Sequence, residues 1–326
     1  MKQPATTLSP NPRDSKITPV AMASFEIPDS FLRGPAHNAT VHRLDFTQTT
    51  PPIPSFKNSF AAVIDNVMTE AECIELLRLA EESTQPTRPA DSSQHASPAW
   101  ERAMINAGGG RQVMSVDTRK SGRIILDSRE LAQRILDRLM PFLHDFHIDH
   151  VHNMPTVTGL GPARRGEIYH VSRLNERLRF LRYEGGDYFR PHWDGCYLTP
   201  DETERSLFTV HLYLNGDGEQ DMAELLPEIE RAEKADGLVA SDGEVDLMDV
   251  LDDGPGPDRP STVHEKLLGG ATSFTDGLST TVGAVRVFPK TGSVLVFQQR
   301  DLLHSGDDVF RGVKYTMRTD IMYTSE

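Results

Sequence analysis

The chain has 326 residues, of which 37% are hydrophobic and 25% charged, and 34 basic against 48 acidic side chains give it a formal net charge of −14. This composition is typical of a globular protein, and the acid excess argues against a nucleic acid partner, because phosphate binding needs a basic surface. The sequence shows no apolar run long enough to span a membrane and no signal peptide, and its two cysteines are too few for a disulfide framework. We therefore expect a cytoplasmic protein without a membrane partner.

The N-terminal part is predicted to be an arm followed by a helical region. Residues 1–55 are rich in Pro, Thr and Ser and show no sustained period, which indicates an extended or disordered arm. The run FAAVIDNV at 60–67 predicts a strand. Thr69 and Glu72 then form a capping box that begins a helix. A loop over 83–122 follows.

A second helix is predicted after the run GRIILD at 122–127. Leu131, Ile135 and Leu139 recur at the spacing of one helix face. We interpret residues 56–155 as a helical support region.

The pattern changes after Pro155 to short β-rich runs separated by Gly and Pro turns. These runs are residues 178–183, 206–215, 284–289, 292–297 and 314–323. Helices followed by many strands predict a β-sandwich or barrel over residues 156–326, with helices packed on one outer face.

Most of the negative charge lies in one segment, residues 216–268, which holds sixteen Asp and Glu against four Lys and Arg. Its charge and its Gly and Pro content predict a solvated, partly disordered insertion with one short amphipathic piece around residues 222–234. An acidic docking surface or a divalent-ion site is the functional alternative.

A candidate metal site lies in the run YFRPHWD at 188–194. Residues i and i+2 of an extended strand share a face, so His192 and Asp194 can reach one point. One imidazole and one carboxylate are two thirds of the 2-His-1-carboxylate triad that holds iron(II) with coordination positions left open. His304, directly after the strand at 292–297, is the candidate for the second histidine.

The His-x-Asp pattern is weak evidence by itself, because His147 and Asp149 form a second instance. That instance ends a helix and lacks a strand pattern, which favours a polar helix exit. Nothing in the sequence fixes a metal-binding geometry for the neighbouring histidines, which are His144, His150 and His152.

The motifs around His192 resemble those of a known family. The run FLRYEGGDYFRPHWD at 180–194 resembles the metal-binding strand of prolyl 4-hydroxylase-type oxygenases, which depend on iron(II) and 2-oxoglutarate. Four further blocks follow in the family's order. They are LYLN at 212–215, GGATSF at 269–274, FP at 288–289 before GSVLVF at 292–297, and His304 with GVK at 312–314.

The resemblance implies a mainly β fold with flanking helices (α+β), a double-stranded β-helix of the jelly-roll or cupin-like kind. It also implies that His192, Asp194 and His304 are the iron ligands. The acidic insertion then lies between two strands and accounts for the long separation of His304 from Asp194.

The resemblance further implies a 2-oxoglutarate site. Lys314 matches the cation that binds the far carboxylate, and Tyr183 and Tyr213 match tyrosines that hydrogen-bond the co-substrate. Thr316 and Arg318 share the strand face of Lys314, so Thr316 can donate a hydroxyl and Arg318 can share or replace the role of the lysine. The alternatives are a core position for Tyr213 and a salt bridge for Arg318.

The implied activity couples the oxidative decarboxylation of 2-oxoglutarate, to succinate and CO2, with hydroxylation of a substrate C–H bond. O2 is the oxidant, and ascorbate is an optional reductant. We expect a prolyl or amino-acid-like substrate, peptidyl or small. Hydroxylation, desaturation or oxidative cyclisation of a small specialised metabolite is the alternative, and a non-catalytic binding barrel is a third, less favoured one.

Two smaller features of the sequence stay open. Arg119 and Lys120 lie in the loop that would close over substrate, and Arg123 lies just after it. These residues could contact an acidic or peptide group, but we interpret them as surface charges. Cys196 either lines the pocket or packs in the core, and the sequence does not distinguish the two.

Overall fold

The structure is a computed structural model that describes residues 26–85, 98–106, 112–241, 265–277 and 284–326, with the backbone alone for 106, 112 and 235–241. The helices are α1 (Glu70–Glu82), α2 (Arg129–Asp145), α3 (Pro155–Thr158), α4 (Leu160–Arg165) and α5 (Met222–Ser241), with a 3-10 helix at Pro54–Phe56.

Strands dominate the described residues. The first nine are β1 (Thr40–Arg43), β2 (Ala61–Asp65), β3 (Glu101–Arg102), β4 (Ile105–Asn106), β5 (Gln112–Val113), β6 (Arg119–Lys120), β7 (Gly122–Asp127), β8 (His150–His152) and β9 (Ile168–Leu174). The others are β10 (Arg177–Glu184), β11 (Tyr188–His192), β12 (Glu204–Tyr213), β13 (Leu268–Gly269), β14 (Thr272–Phe274), β15 (Val285–Val287), β16 (Val294–Gln298), β17 (His304–Gly306), β18 (Val309–Arg311) and β19 (Val313–Ser325).

Two antiparallel sheets form the body of the fold. The larger has ten strands in the order β1-β2-β16-β12-β19-β10-β7-β3, with β9 also paired to β19 and β8 to β9. The smaller has five, in the order β15-β14-β17-β11-β6. Tyr213 and Phe297 of the large sheet pack with Phe274 and Val287 of the small one, so the sheets lie face to face. The fold is the double-stranded β-helix predicted from the sequence.

The outer face of the large sheet carries helices α1 and α2. Leu76 of α1 and Ile135 of α2 belong to one buried cluster with Val210 and Met317, which are strand residues. Strands β12 and β19 thus turn alternate residues to the helices and to the space between the sheets. The predicted helical layer on one outer face is confirmed.

The N-terminal segment differs from the predicted arm. Residues 1–25 lie outside the described part of the chain, but β1 pairs with β2 at the edge of the large sheet. Phe46 and Ile53 are buried in the core between the sheets. Residues 26–55 are therefore part of the folded body, because their apolar side chains fill space at the end of the barrel.

The support region and the barrel are also less separate than predicted. Strands β2 and β7, both before residue 156, hydrogen-bond within the large sheet to β16 and β10. No helix in the described part of the chain is both long and apolar enough to cross a membrane.

The acidic insertion begins with a helix that packs on the barrel. The predicted amphipathic piece lies within α5, whose Leu225 and Ile229 are buried against Leu268, beside Phe288 and Phe310. This part of the insertion is anchored rather than solvated on all sides. Residues 242–264 lie outside the described residues.

Candidate metal centre

Three candidate ligands meet at one end of the small sheet. His192 ends β11 and His304 begins β17, and the two residues are direct register partners. Asp194 lies just beyond β11. The Nε2 atoms of His192 and His304 are 3.8 and 3.6 Å from the carboxylate oxygens of Asp194. All three ligand atoms lie within 4.8 Å of one another, an arrangement found nowhere else in the described residues.

Backbone carbonyls fix the tautomers of both histidines. The Nδ1 atom of His192 lies 2.9 Å from the carbonyl oxygen of Arg190, and that of His304 lies 3.0 Å from the carbonyl oxygen of Leu302. Because a carbonyl oxygen only accepts, each Nδ1 carries the proton and each Nε2 keeps its lone pair. This is how metal-binding histidines are usually held.

The charge states also suit a divalent cation. Burial lowers the pKa of His192 to about 3, with further lowering from His304, and burial lowers the pKa of His304 as well. Burial works to raise the pKa of Asp194, but Arg318 and the two imidazoles outweigh it and hold that pKa below its usual range. At neutral pH the site offers two neutral imidazoles and one carboxylate, the donor set of a non-haem iron(II) centre.

Hydrogen bonds hold both oxygens of Asp194. The Thr209 hydroxyl donates to Oδ2 at 2.7 Å, and Nη2 of Arg318 contacts Oδ1 at 2.8 Å. Arg318 also lies 3.6 Å from Asp320. The predicted alternative, a structural salt bridge of Arg318, is thus present. The arginine holds the candidate ligand Asp194 as well as Asp320.

A cavity lies beside the histidines, between the two sheets. Its lining includes Tyr183, His192, His304, Lys314 and Arg318. Lys314 is 2% exposed, its Nζ lies 5.1 Å from the ring centroid of Tyr183, and it forms no ion pair with a described residue. Burial lowers its pKa to about 8, against the opposing charge of Asp307. A buried cation without an ion-pair partner favours an anionic ligand in this cavity.

The other candidate co-substrate residues differ in placement. Tyr183 lines the cavity. Tyr213 is fully buried next to it, and its hydroxyl donates to Oγ1 of Thr272 at 2.8 Å. Thr316 is fully buried between Leu181 and Tyr213 in the sheet register, and its Oγ1 has no hydrogen-bond partner among the described residues.

Two basic side chains of the cavity wall, His211 and Arg119, were not singled out as site residues from the sequence. His211 lines the cavity, and its buried Nε2 has no hydrogen-bond partner among the described residues. The period of two from Thr209 through His211 to Tyr213 was the available signal. Arg119 also lines the cavity, so its interpretation as a surface charge was wrong. Its strand is too short to have been recognised.

Cys196 lies in a second cavity, which also touches Asp194. Its thiol donates to the carbonyl oxygen of Ser206 at 2.9 Å. Trp193, 63% exposed, and Arg205 line the same cavity. Cys196 is exposed and lines this second cavity, so it neither packs in the core nor lines the cavity that contains His192, His304 and Lys314.

The second His-x-Asp pattern is a helix exit, as predicted. His144 Nδ1 lies 2.9 Å from Oδ2 of Asp149, and Ile148 is fully buried between the exposed His147 and the partly buried Asp149. These residues form no three-ligand group in the described part of the chain.

No known family model matches the chain, and no curated protein matches its sequence. Solved structures, in contrast, are similar to the chain. The viral collagen prolyl hydroxylase vCPH from Paramecium Bursaria Chlorella virus-1, as its 2OG complex, is 16% identical with a TM-score of 0.38, over 81% of this chain and 96% of that one. A Trichoplax adhaerens prolyl hydroxylase, in complex with a peptide fragment of hypoxia inducible factor, is 12% identical with a TM-score of 0.41, over 81% and 83%.

A third solved structure is the non-heme alpha ketoglutarate dependent epimerase SnoN from nogalamycin biosynthesis. It is 12% identical to this chain with a TM-score of 0.35, over 83% of this chain and 80% of that one.

Proposed function

We propose that this chain is an iron(II)- and 2-oxoglutarate-dependent oxygenase that hydroxylates a C–H bond of a prolyl or amino-acid-like substrate. The observation that carries the proposal is the convergence of His192, Asp194 and His304 next to a cavity that contains the buried cation Lys314. A 2-His-1-carboxylate centre leaves positions open for a bidentate 2-oxo acid and for O2.

Each residue has a definite part in this reaction. His192, Asp194 and His304 hold the iron, which when bound supplies the O2 chemistry that couples decarboxylation of 2-oxoglutarate to substrate oxidation. Lys314 binds the far carboxylate of 2-oxoglutarate. Phe189 and Phe297, on the cavity wall, exclude water from the reacting groups.

The second cavity is the proposed entrance for the substrate. It touches Asp194, and the exposed Trp193 and Arg205 give it an apolar and a cationic wall. An amino-acid-like substrate has an aliphatic ring or chain that matches the apolar wall.

Anaerobic reconstitution tests the proposal. The protein with iron(II) and 2-oxoglutarate together is expected to show a weak visible charge-transfer band that neither addition gives alone. Under air, succinate formation is expected to depend on 2-oxoglutarate and to rise with the right member of a panel of amino acids, prolyl peptides and small metabolites.

Matched variants separate the site from general effects. His304→Ala is expected to lose iron binding and the band, whereas His147→Ala, in the other His-x-Asp motif, keeps both. A parent protein that binds no iron, or binds it without a 2-oxoglutarate-dependent band, contradicts the proposal.

A further inference from the structure

Arg119 lies in the cavity, close to the candidate metal centre. Its strand β6 pairs with β11, where Arg119 is the register partner of Phe189. The guanidinium lies 4.5 Å from the ring centroid of Phe189, and that ring stacks on the imidazole of His192 with centroids 3.5 Å apart. One aromatic ring therefore separates the Arg119 guanidinium from a candidate metal ligand.

The surroundings of Arg119 leave its charge without a carboxylate partner. It forms no ion pair within the described part of the chain, and its Nε donates to the Ser121 hydroxyl at 3.3 Å. Arg318, in the same cavity, contacts Asp194 instead. Lys120, the next residue on β6, lies 4.0 Å from Asp187. Arg119 thus faces the cavity, and the nearby Asp194 carboxylate, which attracts it, lies beyond ion-pair distance and is already paired with Arg318.

The chemistry of arginine favours a particular ligand for such a position. Burial lowers the pKa of Arg119, against the opposing influence of the Tyr183 hydroxyl and of the Asp194 carboxylate, but an arginine keeps its proton in a protein. Removing its charge from water has a cost that an anion can offset. The planar fork of a guanidinium matches the two oxygens of a carboxylate.

We propose that Arg119 is a second anion-binding residue of the cavity, which binds a carboxylate near the metal centre while Lys314 binds the far carboxylate of 2-oxoglutarate. The inference rests on the proposed function. Two molecules can supply this carboxylate. They are 2-oxoglutarate, through its C1 carboxylate, and an amino-acid-like substrate, through its free carboxyl group.

Binding to the protein loaded with redox-stable Mn(II) tests the inference, with calorimetry as the readout. The probes are 2-oxoglutarate and 2-oxobutyrate, which lacks the far carboxylate. If Arg119 binds the C1 carboxylate, Arg119→Gln lowers the affinity for both probes by about tenfold or more, whereas Lys314→Met lowers the affinity for 2-oxoglutarate alone. Arg119→Lys, which keeps the charge but loses the fork, is expected to fall in between.

A different pattern of affinities is expected if the amino-acid-like substrate supplies the carboxylate. Arg119→Gln then binds both 2-oxo acids like the parent, but the protein loaded with Mn(II) and 2-oxoglutarate loses affinity for L-proline and keeps its affinity for L-prolinamide. Both patterns support a carboxylate site at Arg119.

Controls make the remaining outcomes decisive. Lys120→Gln removes a neighbouring charge on the same strand and is expected to bind every probe with the affinity of the parent. An Mn(II) affinity and a melting temperature equal to those of the parent show that the Arg119 variants fold. Equal binding of all probes by Arg119→Gln and the parent overturns the inference, as does an equal loss in Lys120→Gln. A parent that binds no 2-oxoglutarate contradicts the proposed function instead.

Discussion

Lys314 and Arg318 lie on the same face of β19, yet they meet different charges. Arg318 reaches Asp194 and Asp320, so its guanidinium is already committed to carboxylates of the protein. Lys314 lies between the register neighbour Tyr183 and the cavity, without an ion pair among the described residues. We infer that Lys314 anchors 2-oxoglutarate and that Arg318 orients Asp194.

Replacement of Lys314 tests this division of roles. Lys314→Met is expected to weaken 2-oxoglutarate binding to the Mn(II)-loaded protein by about 10- to 100-fold, because a charge-assisted hydrogen bond contributes roughly 1.5–3 kcal/mol. Mn(II) affinity is expected to stay at the parental value. Calorimetric titration measures both.

Lys290→Met is the matched control, since Lys290 pairs with Asp65 outside the cavity. It is expected to bind 2-oxoglutarate like the parent. Unchanged affinity in Lys314→Met, with a loss in an Arg318 variant, would instead assign the anchor to Arg318.

The same lysine predicts a pH dependence. Burial lowers the pKa of Lys314 to about 8, so the cation is present below that pH and is lost as the pH rises through it. The affinity for 2-oxoglutarate is therefore expected to be level between pH 6.5 and about 7.5 and to fall by up to about tenfold per unit well above pH 8. Titrations of the Mn(II)-loaded protein across this range measure it.

Lys314→Met serves as the reference for that profile, because it has no charge to lose and is expected to give a flat line. A parent profile that stays level to pH 9 would show that Lys314 does not bind the dianion through its charge.

Among the elements, helix α1 begins where the local sequence predicts. Thr69 is its N-cap, with its hydroxyl oxygen accepting from the backbone N–H of Glu72, while the carboxylate of Glu72 accepts from the backbone N–H of Thr69. The same Glu72 accepts from Arg138 of α2 at 3.0 Å. A local capping box thus also connects the two helices that cover the large sheet.

Thr69→Ala is expected to lower the free energy of unfolding by about 1 kcal/mol, because one backbone N–H of the first turn loses its partner. Urea denaturation measures the change. Ile74→Ala, at an exposed position of the same helix, is the control and is expected to change stability by less than about 0.5 kcal/mol. Equal losses in both variants would contradict the capping assignment.

At the scale of the whole molecule, the metal centre exists only in the folded barrel, because His192 and His304 belong to strands that are distant in sequence. A metal that binds the folded form alone stabilises it by about 2.7 kcal/mol at a hundredfold excess over its Kd. Saturating Mn(II) is therefore expected to raise the melting temperature by several degrees, as measured by scanning calorimetry.

The rise is expected to vanish in His304→Ala and to persist in His147→Ala. A parent whose melting temperature does not respond to Mn(II) or iron(II) would argue against a metal centre at these residues.

The sequence by itself determined the features that depend on near neighbours in the chain. The capping box at Thr69 and the strands with a period of two follow from the local periods of helix and strand. The short spacing also predicted that His192 and Asp194 lie close together, although Asp194 lies just beyond the end of β11. The resemblance of the ordered motifs to those of a known family added the double-stranded β-helix, and the run at 180–194, for example, spans its strands β10 and β11.

Only the tertiary structure decided the partners of the charged side chains. Arg318 and Asp194 are 124 positions apart, and Arg119 reaches the cavity through a two-residue strand that has no pattern of its own. Residues 26–55 likewise take their folded conformation from contacts with the barrel, in whose core Phe46 and Ile53 are buried. These placements follow from the register between distant strands, and that register is set by the packing of the two sheets, which no local stretch of sequence specifies.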